Sequence, residues 1–80
     1  ETMNFTSKIR GLLTDNNESL SSFSRRMGVT PQATNKKAKA QTWTAIDLLN
    51  IADMTKTKLA FIDKDTEKPL KTFDLSDLRD

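Results

Sequence analysis

The side chains best able to bind an anionic partner lie in one short part of the chain. The stretch from Ser19 to Ile46 contains five lysines and arginines and no acid, whereas Asp47 to Asp80 contains six bases and eight acids. The formal net charge of the whole chain is only +2 at pH 7. A patch of one sign on a short segment says more about a partner than the net charge does. The segment from Ser19 to Lys39 is therefore the first candidate for a binding surface.

The chain has few residues suited to catalysis or metal binding. It contains no histidine, cysteine or tyrosine, so it lacks the commonest nucleophiles, general bases and zinc ligands. No serine or carboxylate has a recognisable basic partner, and no glycine-rich phosphate loop is present. Asp63, Asp65 and Glu67 alternate as in a calcium loop, but the required glycine and final glutamate are missing, which favours a solvated turn. The sequence predicts a protein that is not an enzyme and needs no metal or cofactor.

Length and composition limit the size of the fold and its location. Eighty residues predict one domain with a small core. The absence of cysteine fits a reducing compartment. No apolar run approaches the ~18 residues of a membrane span, and the N-terminus lacks the apolar region of a signal peptide. We expect a cytoplasmic protein.

The spacing of apolar residues predicts two helices in the first part of the chain. Residues 3–16 form the first, with one apolar face. The second begins after Ser19, an N-cap, and ends at Gly28, which can take a left-handed conformation without a Cβ penalty. The core positions predicted on these two helices are Phe5, Ile9, Leu12, Leu13, Leu20, Phe23 and Met27.

A third helix is predicted to start almost directly after the glycine. Val29 is expected to turn inward as a buried residue, and Thr30 and Pro31 can cap and start the next helix. This helix runs through Lys39 and has no large apolar side chain, so most of its surface should face solvent or a partner. Its expected packing contacts are Ala33, Thr34 and Ala38.

A fourth helix has a strong start signal. Thr44 and Asp47 have the spacing of a capping box, and Trp43 and Leu48 have that of a hydrophobic staple, which favours a core role for Trp43. The helix should end near residue 54 or 55. Its expected core positions are Ile46, Leu48, Leu49 and Ala52, with Ile51 as a further candidate.

The last part of the chain has the pattern of a β-hairpin. The β-prone runs 58–62 and 70–75 are separated by a polar loop, with Phe61 and Phe73 as an expected cross-strand core pair. Residues 76–80 could be one helical turn or a frayed tail. The predicted fold is mainly α, with four helices followed by a C-terminal β-hairpin (a small α+β protein). Residues 3–56 and 57–80 are its two parts, within one continuous domain.

The run FSRRMGVT at residues 23–30 resembles the lambda-repressor and Cro-like helix-turn-helix family of bacterial and phage regulators. The usual family run is leucine, alanine, two polar residues, leucine, glycine, valine, then serine or threonine. Ser24 stands at the small position over which the recognition helix crosses closely. Thr34 and Lys37 depart from the family, which usually has an aliphatic residue at the first position and often leucine or tryptophan at the second. The resemblance covers residues 5–54 and implies a lambda-repressor-like four-helix domain.

The resemblance also implies a function. Helix 3 would enter the major groove of DNA while the preceding helix crosses the backbone. Glutamine and asparagine can bond adenine, and lysine can reach the guanine acceptors. The implied base contacts are Gln32, Lys36, Asn35 and Thr30. The implied phosphate contacts are Arg25, Arg26, Lys37 and Lys39.

A two-stranded hairpin has open edges and is marginally stable, so we expect a second copy to pair with it. The expected dimer interface consists of Leu59, Phe61, Phe73, Leu75 and Leu78. The leading hypothesis is a homodimeric DNA-binding regulator, with repression as the expected sense, on an inverted-repeat operator whose half-sites lie ~34 Å apart.

Two alternatives stay open. The same helices could bind a protein or RNA, as in an antitoxin or an inhibitor of a host defence complex from a mobile element. The chain could also be a purely structural dimerisation domain. The run NKKAK alone is more typical of a solvated helix face than of a binding site.

Overall fold

A computed structural model describes residues 4–78 of the chain. Four helices precede an antiparallel two-stranded hairpin and a final 3₁₀ turn, which confirms the predicted small, mainly α, α+β fold. Residue 3, where the first helix was expected to begin, and the tail residues 79–80 lie outside the described residues. The elements are α1 (Phe5–Asp15), α2 (Leu20–Met27), α3 (Pro31–Ala40), α4 (Ala45–Met54), β1 (Leu59–Ile62), β2 (Pro69–Phe73) and the 3₁₀ turn (Leu75–Leu78).

The chain divides into two compact units. The first ends at Thr44, and the second begins at Ala45. Helix α4 therefore belongs with the hairpin, whereas the sequence grouped it with the preceding helices and placed the boundary after residue 56. None of the helices in the described range 4–78 is both long and apolar enough to cross a membrane.

The ends of α2 and α3 follow the capping chemistry expected from the sequence. The Ser19 hydroxyl accepts the Ser22 amide at 3.2 Å, and the Thr30 hydroxyl accepts the Ala33 amide at 3.1 Å. Gly28 closes α2 with φ 68° and ψ 32°, the left-handed conformation that favours glycine. These local bonds satisfy helix-end amides and fix the short connection between α2 and α3.

An aromatic contact and two hydrogen bonds connect Thr6, near the start of the first unit, with its core and with Trp43, near its end. Trp43 meets Phe23 edge to face, with ring centroids 5.7 Å apart, and its Nε1 donates to the Thr6 hydroxyl at 3.1 Å. The Thr6 hydroxyl donates in turn to the carbonyl of Ala38 at 2.6 Å. Trp43 thus has the expected core role. The buried apolar residues of this unit are Ile9, Leu13, Phe23 and Ala38.

Three packing predictions in the first unit are wrong. Val29 is 45% exposed; its amide donates to the Ser24 carbonyl at the end of α2, and its side chain lies outside the core. Phe5 is 50% exposed at the first position of α1, where its amide donates to the Gln41 side chain at 2.9 Å. Ala33 is exposed as well, so α3 packs through its other small residues.

Helix α4 turns a different face inward than the sequence suggested. Asp47 and Ile51 lie one turn apart and are both buried, which rotates the neighbouring Ile46 outward. The prediction that Ile46 faces the core is therefore wrong, whereas Ile51 is a core residue. Thr55 ends the helix with its hydroxyl donating to the Ile51 carbonyl at 2.8 Å. The other buried apolar residues of α4 are Leu49 and Ala52.

The hairpin pairs Leu59 with Phe73 and Phe61 with Lys71, with an irregularity between Phe61 and Ile62. Phe61 and Phe73 meet diagonally, with ring centroids 5.9 Å apart. Their contact confirms a cross-strand pair. It is not a core pair, because Phe61 is 68% exposed.

The hairpin loop is the solvated turn expected from its acids. The backbone amides of Thr66 and Asp65 each donate to the Asp63 carboxylate at 2.9 Å and hold its pKa below the ordinary value. Within residues 4–78, no group of three acids or other metal-binding side chains could hold a metal ion.

Candidate functional site

A buried pair of hydroxyls fixes α3 on α2. Ser24 and Thr34 are both buried, and their side-chain oxygens lie 2.6 Å apart. Ser24 Oγ is also 3.0 Å from the Leu20 carbonyl. Ser24 is thus a small residue at a close approach of the two helices, as the sequence suggested. Thr34 anchors α3 through a hydrogen bond rather than through apolar packing.

The C-terminal half of α3 has a second anchor. Ala38 is buried, and its carbonyl accepts the hydroxyl of Thr6 from α1. Lys37 is half-buried on the same helix. With Thr34 and Ala38 held at positions one turn apart, α3 has a fixed orientation.

The opposite face of α3 is open. Gln32, Asn35, Lys36 and Lys39 are all exposed, and their spacing of three or four residues places them along one side of the helix. Thr30 is also exposed, but its hydroxyl oxygen already accepts the Ala33 amide as the N-cap. Of the predicted base contacts, Gln32, Asn35 and Lys36 therefore share one open surface, and Thr30 has a structural role beside it.

Positive charge also lies in the last turns of α2 and α3. Arg25 and Arg26 are exposed in the last turn of α2, where cations favour the helix dipole. Lys39 lies in the last turn of α3. No acid occurs between Ser19 and Ile46 in the sequence. Side chains that donate and accept hydrogen bonds, together with cations on the same two helices, can bind a polyanion and contact polar groups on it.

Arg10 is a candidate binding residue that the sequence did not suggest. It lines a cleft of about 370 Å³ between α1 and α3, together with Ser7 of α1 and Asn35 and Lys39 of α3. Two cations and several hydrogen-bonding groups therefore border the same space. Position along α1 could not have shown this, since the cleft depends on how α1 packs against α3.

Three of the five residues expected at a dimer interface share one site. Leu59, Phe61 and Phe73 line one apolar groove of about 390 Å³ in the second unit. Leu75 lines a different cleft, which contains charged side chains such as Asp53 and Lys58, and Leu78 is exposed on the final turn. The other walls of the apolar groove are Ala45, Leu48, Leu49 and Ala60.

Comparisons of the chain with protein-family models, with curated proteins and with solved structures find no match. The case for a function therefore depends on the residues and geometry described above.

Proposed function

We propose that this chain is a sequence-specific, double-stranded DNA-binding transcriptional regulator of the lambda-repressor and Cro-like helix-turn-helix type. It acts as a homodimer in the cytoplasm, with repression as the expected sense, and its role requires neither catalysis nor a cofactor. One observation carries the proposal. The tight glycine turn and the Ser24–Thr34 contact connect α2 to α3, on which Gln32, Asn35 and Lys36 form an open polar face, and cations lie in the last turns of both helices.

In the proposed complex, α3 lies in the major groove. Gln32 and Asn35 can each form two hydrogen bonds with adenine, and Lys36 can donate to the O6 and N7 acceptors of guanine. Arg25 and Arg26 contact phosphates from the end of α2, and Lys37 and Lys39 do so from α3. The proposed operator is an inverted repeat, because a two-fold dimer presents two copies of α3 about 34 Å apart.

Fixing α3 in advance favours binding. The Ser24–Thr34 contact and the Thr6–Ala38 hydrogen bond hold the helix before DNA arrives. Little ordering entropy is then lost from the backbone of α3 on association. The exposed side chains of the open face remain to be ordered on the DNA.

Selection of bound sites from random duplex DNA tests the proposal. We expect an enriched inverted repeat. Gln32→Ala and Lys36→Ala should each lose roughly 1 to 3 kcal/mol of binding free energy on the selected site and much less on random DNA. Lys64→Ala is the matched control, because Lys64 is an exposed lysine in the hairpin loop and should leave affinity unchanged. Recovery of no enriched sequence, with retained binding to RNA or a protein, would favour the interaction-module hypothesis.

Arg10 gives a prediction of a different kind. If the α1–α3 cleft receives a backbone phosphate, Arg10→Ala should weaken binding to selected and random DNA by similar factors and reduce the magnitude of the salt slope by about 2 in the dimer, since each subunit loses one phosphate contact. Fluorescence anisotropy at several salt concentrations measures both effects. Lys8→Ala is the control on the same helix, since Lys8 is exposed but does not line the cleft. A loss confined to the selected site would instead assign Arg10 to base recognition.

A further inference from the structure

Strand β1 has an outer edge without hydrogen-bond partners in the described part of the chain. The Asp63 amide donates to the Lys68 carbonyl at 2.8 Å, so it points toward the second strand of the hairpin. Because amides alternate in direction along a strand, those of Leu59 and Phe61 also point to β2, and those of Ala60 and Ile62 point away. Among residues 4–78, the backbone of Leu59–Ile62 bonds only to β2.

The two edges of the hairpin differ in how strongly their residues discourage pairing with a further strand. Strand β1 reads LAFI and contains no charge and no proline, whereas β2 contains Pro69 and Lys71. Proline lacks an amide hydrogen, and both residue types typically discourage pairing at an open edge. The exposed edge of β1 therefore has none of these safeguards.

We infer that a second copy of this chain pairs with β1 in the antiparallel direction, giving a four-stranded sheet in the order β2–β1–β1–β2. The inference deepens the proposed function, whose homodimer it specifies, although the pairing itself does not need DNA. Ala60 lies on the two-fold axis, opposite Ala60 of the partner subunit. The outward amides and carbonyls of Ala60 and Ile62 then find partners across the interface.

Side-chain pairing selects this register. With Ala60 on the axis, Leu59 faces Phe61 of the partner subunit at a position where side chains approach closely. With Phe61 on the axis instead, Leu59 would face Asp63 of the partner subunit, which places an apolar side chain opposite a carboxylate rather than opposite an aromatic ring. The small side chain of Ala60 also permits close approach at the axis.

The apolar groove supplies the space for the partner's aromatic ring. Leu59 and Phe73 lie on one face of the hairpin and form one wall, and Ala45 and Leu48 of α4 form the other. Because Phe61 of the partner subunit stands beside Leu59 on that face, its ring enters the groove. The two-fold axis makes the contact reciprocal, so both grooves are filled by one pairing.

The exposed area indicates how tight this dimer is. An interface on a small protein covers about a tenth of its surface, or roughly 600 Å² of the 6231 Å² exposed here. Phe61 is 68% exposed and supplies about 100 to 170 Å², given the roughly 150 to 250 Å² that an aromatic side chain can bury. Ile62 and the groove walls add further apolar area, but the total lies at the low end for stable complexes. We therefore expect a reversible, concentration-dependent dimer.

Disulfide trapping without DNA tests the pairing. The chain has no cysteine, so a single introduced cysteine can form only an intermolecular disulfide. Ala60→Cys places the two cysteines opposite each other at about 5.5 Å between Cα atoms, within the range that a disulfide spans. We expect rapid formation of a covalent dimer on mild oxidation. Thr72→Cys is the matched control, because Thr72 is the direct partner of Ala60 on β2 but lies far from the axis.

Sedimentation across a micromolar concentration series gives an independent measurement. Phe61→Lys should weaken dimerisation by about tenfold or more, the size of effect typical of a buried aromatic at an interface. Leu70→Lys, on the exposed and irregular part of β2, should have little effect. Both residues are exposed in the subunit, so neither change should unfold it.

The outcomes separate this inference from the proposed function. A wild-type chain that stays monomeric at every concentration, or equal trapping of the Ala60 and Thr72 variants, would overturn the β1 pairing. A dimer that is trapped at Ala60 but selects no DNA sequence would support the pairing and contradict the DNA-binding proposal. DNA binding by a chain whose Ala60→Cys variant forms no disulfide-linked dimer would support the DNA-binding proposal and contradict the β1 pairing.

Discussion

Phe23→Ala is expected to lower the free energy of unfolding by about 3 to 5 kcal/mol, because the change leaves a cavity in the centre of the first unit. Phe23 is 1% exposed and forms the edge-to-face contact with Trp43. Small domains are stable by only about 5 to 15 kcal/mol, so this loss is a large part of the total. Urea unfolding followed by fluorescence measures it well, since Trp43 is the single tryptophan of the chain and touches the altered site.

Phe5→Ala is the matched control for this experiment. Phe5 is 50% exposed on α1, and its removal should cost less than about 1 kcal/mol, as for most surface substitutions. Equal destabilisation by the two changes would contradict the assignment of Phe23 to the core and Phe5 to the surface. It would also weaken the case that α2, which carries Phe23, is firmly packed in the first unit.

The second large expected effect is a steep fall of DNA affinity with increasing salt concentration. Five phosphate candidates in each subunit, or ten in a dimer, predict that the logarithm of affinity falls with the logarithm of salt at a slope of about −9. Raising the salt from about 50 mM to about 200 mM should then weaken specific binding by roughly 10⁵-fold. Competition titrations on the selected operator measure this slope. The five candidates are Arg10, Arg25, Arg26, Lys37 and Lys39.

A double change in the hairpin loop, Lys64→Ala with Lys68→Ala, is the control for the salt effect. It removes two exposed positive charges outside the proposed DNA surface, so the slope should not change. Arg25→Ala with Arg26→Ala also removes two charges and should reduce the magnitude of the slope by about 4 in a dimer. A nearly flat salt dependence of the wild type would point to a partner that is not a polyanion.

The buried Ser24–Thr34 pair has a physical consequence for the orientation of α3. An aliphatic residue at position 34 would hold α3 by burial alone. Thr34 instead meets Ser24 at 2.6 Å, and a hydrogen bond fixes direction as well as distance. The bond also satisfies two hydroxyls that would be costly to bury alone. Helix α3 is thereby anchored by polar groups on its inner face, while its outer polar face remains available to a partner.

The sequence by itself determined the features that depend on neighbouring residues. Caps at Ser19 and Thr30 and the left-handed Gly28 act within one helical turn, so the boundaries of α2 and α3 could be predicted closely. The positive segment and the two β-prone runs are likewise visible without any tertiary contact. The open face of α3 followed from its lack of large apolar residues.

Only the tertiary structure decided which of these residues are buried and which meet. Burial depends on segments far apart in the chain, so Val29 and Ile46, apolar by type, are exposed, while the polar Thr34 is buried. The cleft that brings Arg10 to Lys39 exists because α1 packs beside α3. Periodicity reports the face that a residue takes on its own helix. It carries no information about which other element covers that face.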